Sequence, residues 1–134
     1  MMEYSEVSIR LIIATLAGGL IGLEREVVHK PAGVRTHMLV SLGSALFVLV
    51  TLQEIPNEVA RIIAGIATGI GFLGAGTIFK SNNDVQGLTT AASIWTVAAV
   101  GLSVGLGYYL MTITSVFLIL IILHLNKLEF FKRL

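Results

Sequence analysis

The residues of this sequence that could take part in chemistry are mostly charged side chains at the edges of apolar segments. Arg10 and Arg61 each lie inside such a segment near one end, and Glu6 and Glu58 precede them by four and three residues. An arginine at the centre of a membrane helix costs about 2.5 to 3.5 kcal/mol on insertion scales, and less near the interface. Two interpretations stay open: snorkelling arginines paired with these acids, or a charged site at the outer mouth of a helix bundle.

A second charged group surrounds the first connection between apolar segments. Glu24 and Arg25 precede this connection and Arg35 follows it. Glu24 and Arg35 flank one hairpin, so they can pair across it, and Asp84 can join them. An ordinary salt-bridge network at the membrane interface and a functional site are both consistent with this pattern.

Other chemistry is not indicated. The sequence has no Cys, no Ser/His/Asp arrangement, no HExxH and no GxxxxGK, so we expect no enzyme and no cofactor. The GxGxxG match at Gly69–Gly74 lies inside an apolar segment, without the preceding strand that a dinucleotide site needs. His29, His37 and His124 are too scattered for a metal site, and we expect them to bond to solvent or headgroups. No basic face indicates nucleic-acid binding.

The composition is that of a membrane protein. Of the 134 residues, 55% are hydrophobic and 13% charged, and the mean hydropathy is +0.90, whereas soluble domains have about 25% charged residues. Each crossing of the hydrocarbon layer needs about 20 residues. The length therefore predicts one all-α transmembrane domain over residues 1–134, a polytopic bundle of about five spans, at 7–23, 36–52, 59–79, 88–104 and 108–125.

The basic residues predict the orientation. Seven lie in alternate connections or the tail: Arg25, Lys30, Arg35, Lys80, Lys127, Lys132 and Arg133. Only Arg10 and Arg61 lie near the opposite face. By the positive-inside rule, the N-terminus is outside and the C-terminus is cytoplasmic, which requires an odd number of spans. The break at Gly105 is the weakest, so four spans remain an alternative.

Small residues recur every four positions in three of the predicted spans, at Ala14, Gly18 and Gly22, at Gly65 and Gly69, and at Gly101 and Gly105. This spacing favours close packing of membrane helices, with a pore or hinge as the alternative. Because glycine is a poor helix former, the run from Gly65 to Gly76 predicts a kink or break in the third span. We expect Gly71 and Gly74 to contact a neighbouring helix. Trp95 is expected to pack, with a ligand cavity as the alternative.

Four segments together closely resemble the MgtC/SapB family of bacterial membrane proteins. They are residues 18–26 (GGLIGLERE), 30–43 (KPAGVRTHMLVSLG), 69–78 (GIGFLGAGTI) and 87–95 (GLTTAASIW), in family order, with Arg61 and Gly101. Longer members append a soluble ACT-like domain, and this chain resembles the short form. The motif residues carried over are Glu24, Arg25, Arg35, Thr36, Arg61, Gly71, Gly74, Gly76, Thr89, Thr90 and Trp95.

The resemblance implies a bacterial inner-membrane protein linked to adaptation to low Mg²⁺ and, in pathogens, to virulence. Some members are thought to restrain the F-type ATP synthase. Our leading hypothesis is a non-enzymatic regulator that contacts lipids and membrane proteins through its helices, with a homodimer as one assembly.

The alternative is a transporter or channel for Mg²⁺ or another small solute. No Asp or Glu lies deep in a predicted span, which argues against a midplane cation site. A polar pathway built from Thr15, Ser41, Ser44, Thr68, Thr77, Ser93 and Thr96 would favour transport. A dry interior packed through glycine, with an exposed groove of small residues, would favour the regulator.

Overall fold

The computed structural model describes residues 2–81 and 84–125, and it is an all-α bundle. Its helices are α1 (Tyr4–Val27), α2 (Val34–Glu54), α3 (Val59–Ala75), α4 (Leu88–Gly105) and α5 (Tyr109–His124). The predicted fold class is confirmed, and each predicted span matches one helix. The tail residues Lys127, Lys132 and Arg133 lie outside the described part of the chain. The orientation in the membrane stays a prediction.

Four segments are long and apolar enough to cross a membrane: α1, α2, Pro56–Ala75 and α4. The first three residues of the third segment form a 3₁₀ turn, Pro56–Glu58, that leads into α3. Helix α5 is apolar but has 16 residues, slightly fewer than a typical span. Helices α4 and α5 are separate, because the chain turns at Gly107, whose φ of +84° is readily adopted by glycine.

Helix α4 lies at the centre of the bundle and contacts each of the other four helices. Of an 18-residue window of α4, 61% is buried, whereas the corresponding window that contains α3 is 6% buried. Helices α1 and α2 pack against each other and against α4, and α5 contacts α4 and α1. The bundle thus has a tight α1–α2–α4 unit, with α3 attached at its side.

Glycine allows this close packing. An added Cβ at Gly18 would lie 2.5 Å from the His37 carbonyl oxygen, and one at Gly22 would lie 2.7 Å from the Cα of Val34. A Cβ at Gly101 would overlap the carbonyl of Ser41. The backbones of α1 and α4 therefore rest directly on α2, as the spacing of small residues predicts for these helices.

Helix α3 differs from its prediction in two respects. It runs as one helix from Val59 to Ala75, so the predicted break is wrong. In a lipid environment a broken helix would leave backbone groups without hydrogen-bond partners. This cost exceeds the cost of about 1 kcal/mol for placing each glycine in a helix. The helix also ends four residues before the predicted end of the span at Phe79.

A short antiparallel hairpin that was not predicted from the sequence follows α3. Strand β1 (Phe79–Ser81) pairs with β2 (Asp84–Gln86). Thr77 donates its hydroxyl to the Gly74 carbonyl at 2.8 Å, where the helix ends. Gly87 joins the hairpin to α4 with a φ of +88°, next to the Thr77 carbonyl. The hairpin thus joins the end of α3 to the start of α4 at the same end of the bundle.

We predict that Gly101→Ala lowers the melting temperature of the purified protein. The added methyl group would displace the backbone of Ser41, and overpacking of this kind costs about 1 to 3 kcal/mol. Gly71→Ala is the matched control, because a Cβ at Gly71 meets nothing within 4 Å and alanine is the better helix former. Equal melting temperatures for the two variants would contradict the packing described.

Candidate functional site

Four of the motif residues meet at one cleft, at the end of the bundle where α1 ends and α4 begins. Glu24 and Arg25 come from α1, and Thr89 and Thr90 come from the first turn of α4. The cleft has a volume of about 1010 Å³, and its remaining lining is a mixture of polar and apolar residues: Val28, His29, Lys30, Pro31, Phe79, Val85, Gln86, Gly87, Leu88, Ile122, Leu123 and Leu125. The structure therefore brings together motif residues that are about 65 positions apart in sequence.

A buried ion pair forms one wall of this cleft. Arg25 is 3% exposed, and its guanidinium pairs with the carboxylate of the adjacent Glu24. The other carboxylate oxygen of Glu24, Oε1, is buried without a hydrogen-bond partner among the described residues. Because this oxygen is unsatisfied, the guanidinium of Arg25 is the main compensation for the Glu24 charge.

The predicted pair between Glu24 and Arg35 is wrong. Arg35 and Asp84 are both exposed, and neither forms an ion pair within the described parts of the chain. Helix α1 continues to Val27, past the predicted end of the first span. Glu24 therefore lies within the last turn of α1, where it pairs with the adjacent Arg25 and not with Arg35.

The turn between α1 and α2 is held by a residue that the sequence analysis did not single out. The Glu26 carboxylate accepts a hydrogen bond from the backbone N–H of Val34 at 2.8 Å, at the first residue of α2. A carboxylate at this position also complements the positive end of the helix dipole. Glu26 lies eight residues before Val34, too far for a helix-start signal in the sequence, so only the folded turn reveals this contact. Thr36, a motif residue, is half-buried in the first turn of α2.

His37 joins α2 to α4 inside the bundle. It is fully buried, with Nδ1 2.9 Å from the Gly33 carbonyl oxygen and Nε2 3.0 Å from the Ser93 hydroxyl. Ser93 in turn donates to the Thr90 carbonyl at 2.8 Å. The expectation that His37 bonds to solvent or headgroups is therefore wrong. His37 also lies against α1, at the point where Gly18 and Gly22 approach α2.

The two predicted arginine–acid pairs are both present, at the opposite end of the bundle. Arg10 pairs with Glu6 and also donates Nη1 to the Gly105 carbonyl at 2.7 Å, which ties α1 to the end of α4. Arg61 Nε lies 3.0 Å from Glu58 Oε2, and the Arg61 side chain is 83% exposed. Arg10 therefore has a structural role, whereas Arg61 contributes little to packing within one chain.

The motif residues of α3 and its neighbour have different environments. Gly74 packs on α4, where an added Cβ would lie 3.2 Å from the Ala91 carbonyl oxygen. Gly71 meets nothing within 4 Å, so its predicted helix contact is wrong, and Gly76 is exposed after the helix end. Trp95 is half-exposed and donates its indole N–H to the Ala67 carbonyl at 3.2 Å. Trp95 therefore attaches α3 to α4.

An open apolar groove lies between α2 and α3. Its volume is about 530 Å³, and it is lined by Leu39, Val40, Gly43, Ser44 and Phe47 of α2 and by Arg61, Ile62, Gly65, Ile66, Gly69 and Ile70 of α3. Cβ atoms built at Gly43, Gly65 and Gly69 meet nothing within 4 Å. Gly65 and Gly69, which were predicted to pack against a neighbouring helix, are thus open in this groove.

The hydroxyl groups proposed for a polar pathway bond to the backbone instead. All seven donate to a carbonyl oxygen at 2.6 to 3.0 Å. For six of them the carbonyl belongs to the same helix or its last turn: Thr15, Ser44, Thr68, Thr77, Ser93 and Thr96. The seventh, Ser41, donates to Ala14 of α1. In residues 2–81 and 84–125, no group of three or more His, Cys, Asp or Glu side chains is placed to hold a metal ion.

We predict that Arg25→Met strongly destabilises the protein, because it leaves the Glu24 carboxylate buried without its cation. Breaking a buried ion pair costs about 3 to 5 kcal/mol. The double variant Glu24→Gln/Arg25→Met should recover much of the loss, and Arg35→Met at an exposed position should have almost no effect. Thermal unfolding in detergent provides the measurement, and equal effects of Arg25→Met and Arg35→Met would contradict the buried pair.

Arg61→Ala should leave the folded yield and the melting temperature near those of the wild type. Exposed ion pairs contribute only about 0 to 1 kcal/mol, and the Arg61 side chain has little other contact. Lost growth at limiting Mg²⁺ with a normal folded yield would identify Arg61 as a functional residue. A large loss of folded protein would show that the pair with Glu58 is structural.

Comparison with known proteins identifies the family. A model of the MgtC family matches residues 11–130. The chain is 43% identical over 129 residues to YhiD of Escherichia coli strain K12, covering 90% of this chain and 60% of that protein. It is 41% identical to SrpB of Synechococcus elongatus (98% and 78% covered) and 42% identical to MgtC of Salmonella typhimurium strain LT2 (84% and 48% covered).

This chain therefore spans about half to three quarters of the length of these relatives. No solved structure matches it. The family model and the relatives indicate the same family as the motif residues at the Glu24–Arg25 cleft and along α3. The chain therefore belongs to the MgtC family.

Proposed function

We propose that the protein is a non-enzymatic regulator in the bacterial inner membrane, which acts by contacting other membrane proteins through its helices. The observation that carries this proposal is the contrast between a tightly packed interior and an open α3. The α1–α2–α4 unit is in backbone contact at Gly18, Gly22 and Gly101. Its buried hydroxyls at Ser41, Ser44 and Ser93 bond to carbonyl groups.

The same contrast argues against a conducting path. A channel or transporter needs polar groups that line a solvated route and replace part of the hydration shell of the ion. In the described residues, the interior hydroxyls have carbonyl partners, and the acids at Glu24 and Glu6 lie at opposite ends of α1. No carboxylate of the described spans lies at mid-depth to bridge them. The open surface for contact is instead the groove between α2 and α3.

The relatives give the proposal its physiological setting. YhiD is described as a candidate magnesium transporter, and the family resemblance links such proteins to growth at low Mg²⁺. We propose the same setting for this chain, and the F-type ATP synthase as one candidate partner. If this partner is correct, chemical crosslinking in membranes should recover synthase subunits together with the wild-type protein. A folded variant at Gly101, which leaves α3 unchanged, should recover them as well.

We predict that proteoliposomes containing the purified protein take up Mg²⁺ no faster than empty liposomes, when a trapped fluorescent indicator measures uptake. A known Mg²⁺ channel reconstituted in the same lipid is the positive control. Circular dichroism of the reconstituted sample should confirm that the protein is helical. Saturable Mg²⁺ uptake above the empty-liposome rate would contradict the regulator and support a transporter.

A further inference from the structure

The cleft beside Glu24 and Arg25 contains a buried hydroxyl group that has no partner. Thr90 is 2% exposed and lines the cleft, yet its hydroxyl forms no hydrogen bond within residues 2–81 and 84–125. Threonines elsewhere in the helices donate to the carbonyl four residues earlier: Thr15, Thr51, Thr68, Thr96, Thr112 and Thr114. Buried polar groups usually have such a partner. The Thr90 hydroxyl is therefore available to a group that enters the cleft.

The start of α4 brings further donors to the same cleft. Its N-cap residue, Gly87, has no side chain that could cap the helix, and the Gly87 carbonyl accepts from the N–H of Ala91. The N–H groups of residues 88–90 therefore have no acceptor within the helix. Such N–H groups, together with the helix dipole, bind phosphate and other anions. Leu88 and Thr89 line the cleft beside Thr90, so this side of the cleft is suited to a phosphate group.

The α1 side of the cleft requires a donor instead. The Glu24 oxygen Oε1 is buried and has no hydrogen-bond partner among the described residues, while Arg25 contacts the other oxygen, Oε2. A carboxylate oxygen forms its strongest hydrogen bonds with charged donors such as an ammonium group. A phosphate ion alone would be repelled by this carboxylate. An occupant that carries both a phosphate and an ammonium group would satisfy both sides of the cleft.

The remaining lining of the cleft is suited to acyl chains. Phe79, Val85, Leu88 and Ile122 line it, and each of these side chains is at least half exposed. The cleft lies where α1 ends and α4 begins, which is the level of the headgroups for helices that cross a bilayer. Lys30, which is exposed, lines the same cleft and adds a cation for a phosphate. The volume of about 1010 Å³ is large enough for a lipid headgroup.

We propose that this cleft binds a phospholipid with a primary ammonium headgroup, such as phosphatidylethanolamine. The phosphate accepts hydrogen bonds from the Thr90 hydroxyl and the first N–H groups of α4, and the ammonium donates to Oε1 of Glu24. This inference goes beyond the proposed function. The lipid can occupy the cleft whether the protein regulates partners or conducts a solute, and the experiments below measure neither activity.

A series of ligands tests the headgroup with the protein unchanged. Native mass spectrometry of the purified, delipidated protein would give the affinity for phosphatidylethanolamine, phosphatidylcholine and phosphatidylglycerol with identical acyl chains, and for inorganic phosphate. Phosphatidylcholine is the matched control, because it is also zwitterionic but its quaternary ammonium has no N–H to donate to Glu24. We expect it to bind about tenfold more weakly than phosphatidylethanolamine, as one hydrogen bond to a charged group is lost.

The variant Thr90→Val tests the phosphate side. It keeps the shape of the side chain and removes the hydroxyl, so the affinity for phosphatidylethanolamine should fall by about fivefold to tenfold. The melting temperature of the delipidated variant should equal or exceed that of the wild type, because the hydroxyl has no partner in the described chain. Thr96→Val is the control on the same helix: its hydroxyl donates to Ala92, and Thr96 does not line the cleft.

The outcomes distinguish the possible ligands. Equal affinity for phosphatidylethanolamine and phosphatidylcholine would overturn the proposal, since no donor would then reach Glu24. Tighter binding of phosphatidylglycerol would overturn it in favour of a general anionic lipid, and equally tight binding of inorganic phosphate in favour of a free anion. Wild-type affinity in Thr90→Val would also contradict it. A preference for phosphatidylethanolamine that Thr90→Val weakens and Thr96→Val leaves unchanged would support it.

Discussion

Backbone contact between α2 and its neighbours α1 and α4 governs the arrangement of this bundle. At Gly18 and Gly101, the space that a side chain would fill is taken by the carbonyl groups of His37 and Ser41. Between membrane helices there is no hydrophobic effect to drive association, so close packing and interhelical hydrogen bonds must hold them together. The Ser41 hydroxyl adds such a bond to Ala14, and His37 adds one to Ser93.

This contact has consequences at both ends of the molecule. At one end, the close approach of α1 and α4 puts Glu24, Arg25, Thr89 and Thr90 around a single cleft. At the other end, Arg10 reaches the Gly105 carbonyl. Helices α1, α2 and α4 use their small residues on one another, whereas α3 contacts α4 at Gly74 and Trp95 and packs Ile66 and Ile70 against the core. Its remaining glycines are then open, and they form the surface that the proposed function requires.

The sequence was sufficient to locate the helices but not to identify which helices pack against each other. Hydropathy and breakers located all five helices, and the arginine–acid spacing of three or four residues predicted both pairs at the Arg61 end. The spacing of small residues is the same in α1, α3 and α4, yet the glycines of α3 at 65 and 69 are open. A periodic pattern defines a face of a helix, and it does not say which helix covers that face.

The errors at the site have a similar cause. The Glu24–Arg35 pair depended on where α1 ends, which is the least certain feature of a sequence-based assignment. The burial of His37 depended on Gly18 and Gly22 approaching α2 from another part of the chain. Strands β1 and β2, with three residues each, are too short to show a clear periodicity. Each of these features results from tertiary contact, which local patterns do not contain.

The central claim is that the interior of the α1–α2–α4 unit is dry. It can be tested most directly by the reaction of single cysteines with a water-soluble methanethiosulfonate reagent in intact membranes. Ser41→Cys and Ser93→Cys, both at buried positions, should remain unmodified under conditions that fully modify Lys30→Cys at the exposed connection. Modification of both buried cysteines at rates near that of Lys30→Cys would show a water-filled path and contradict the account.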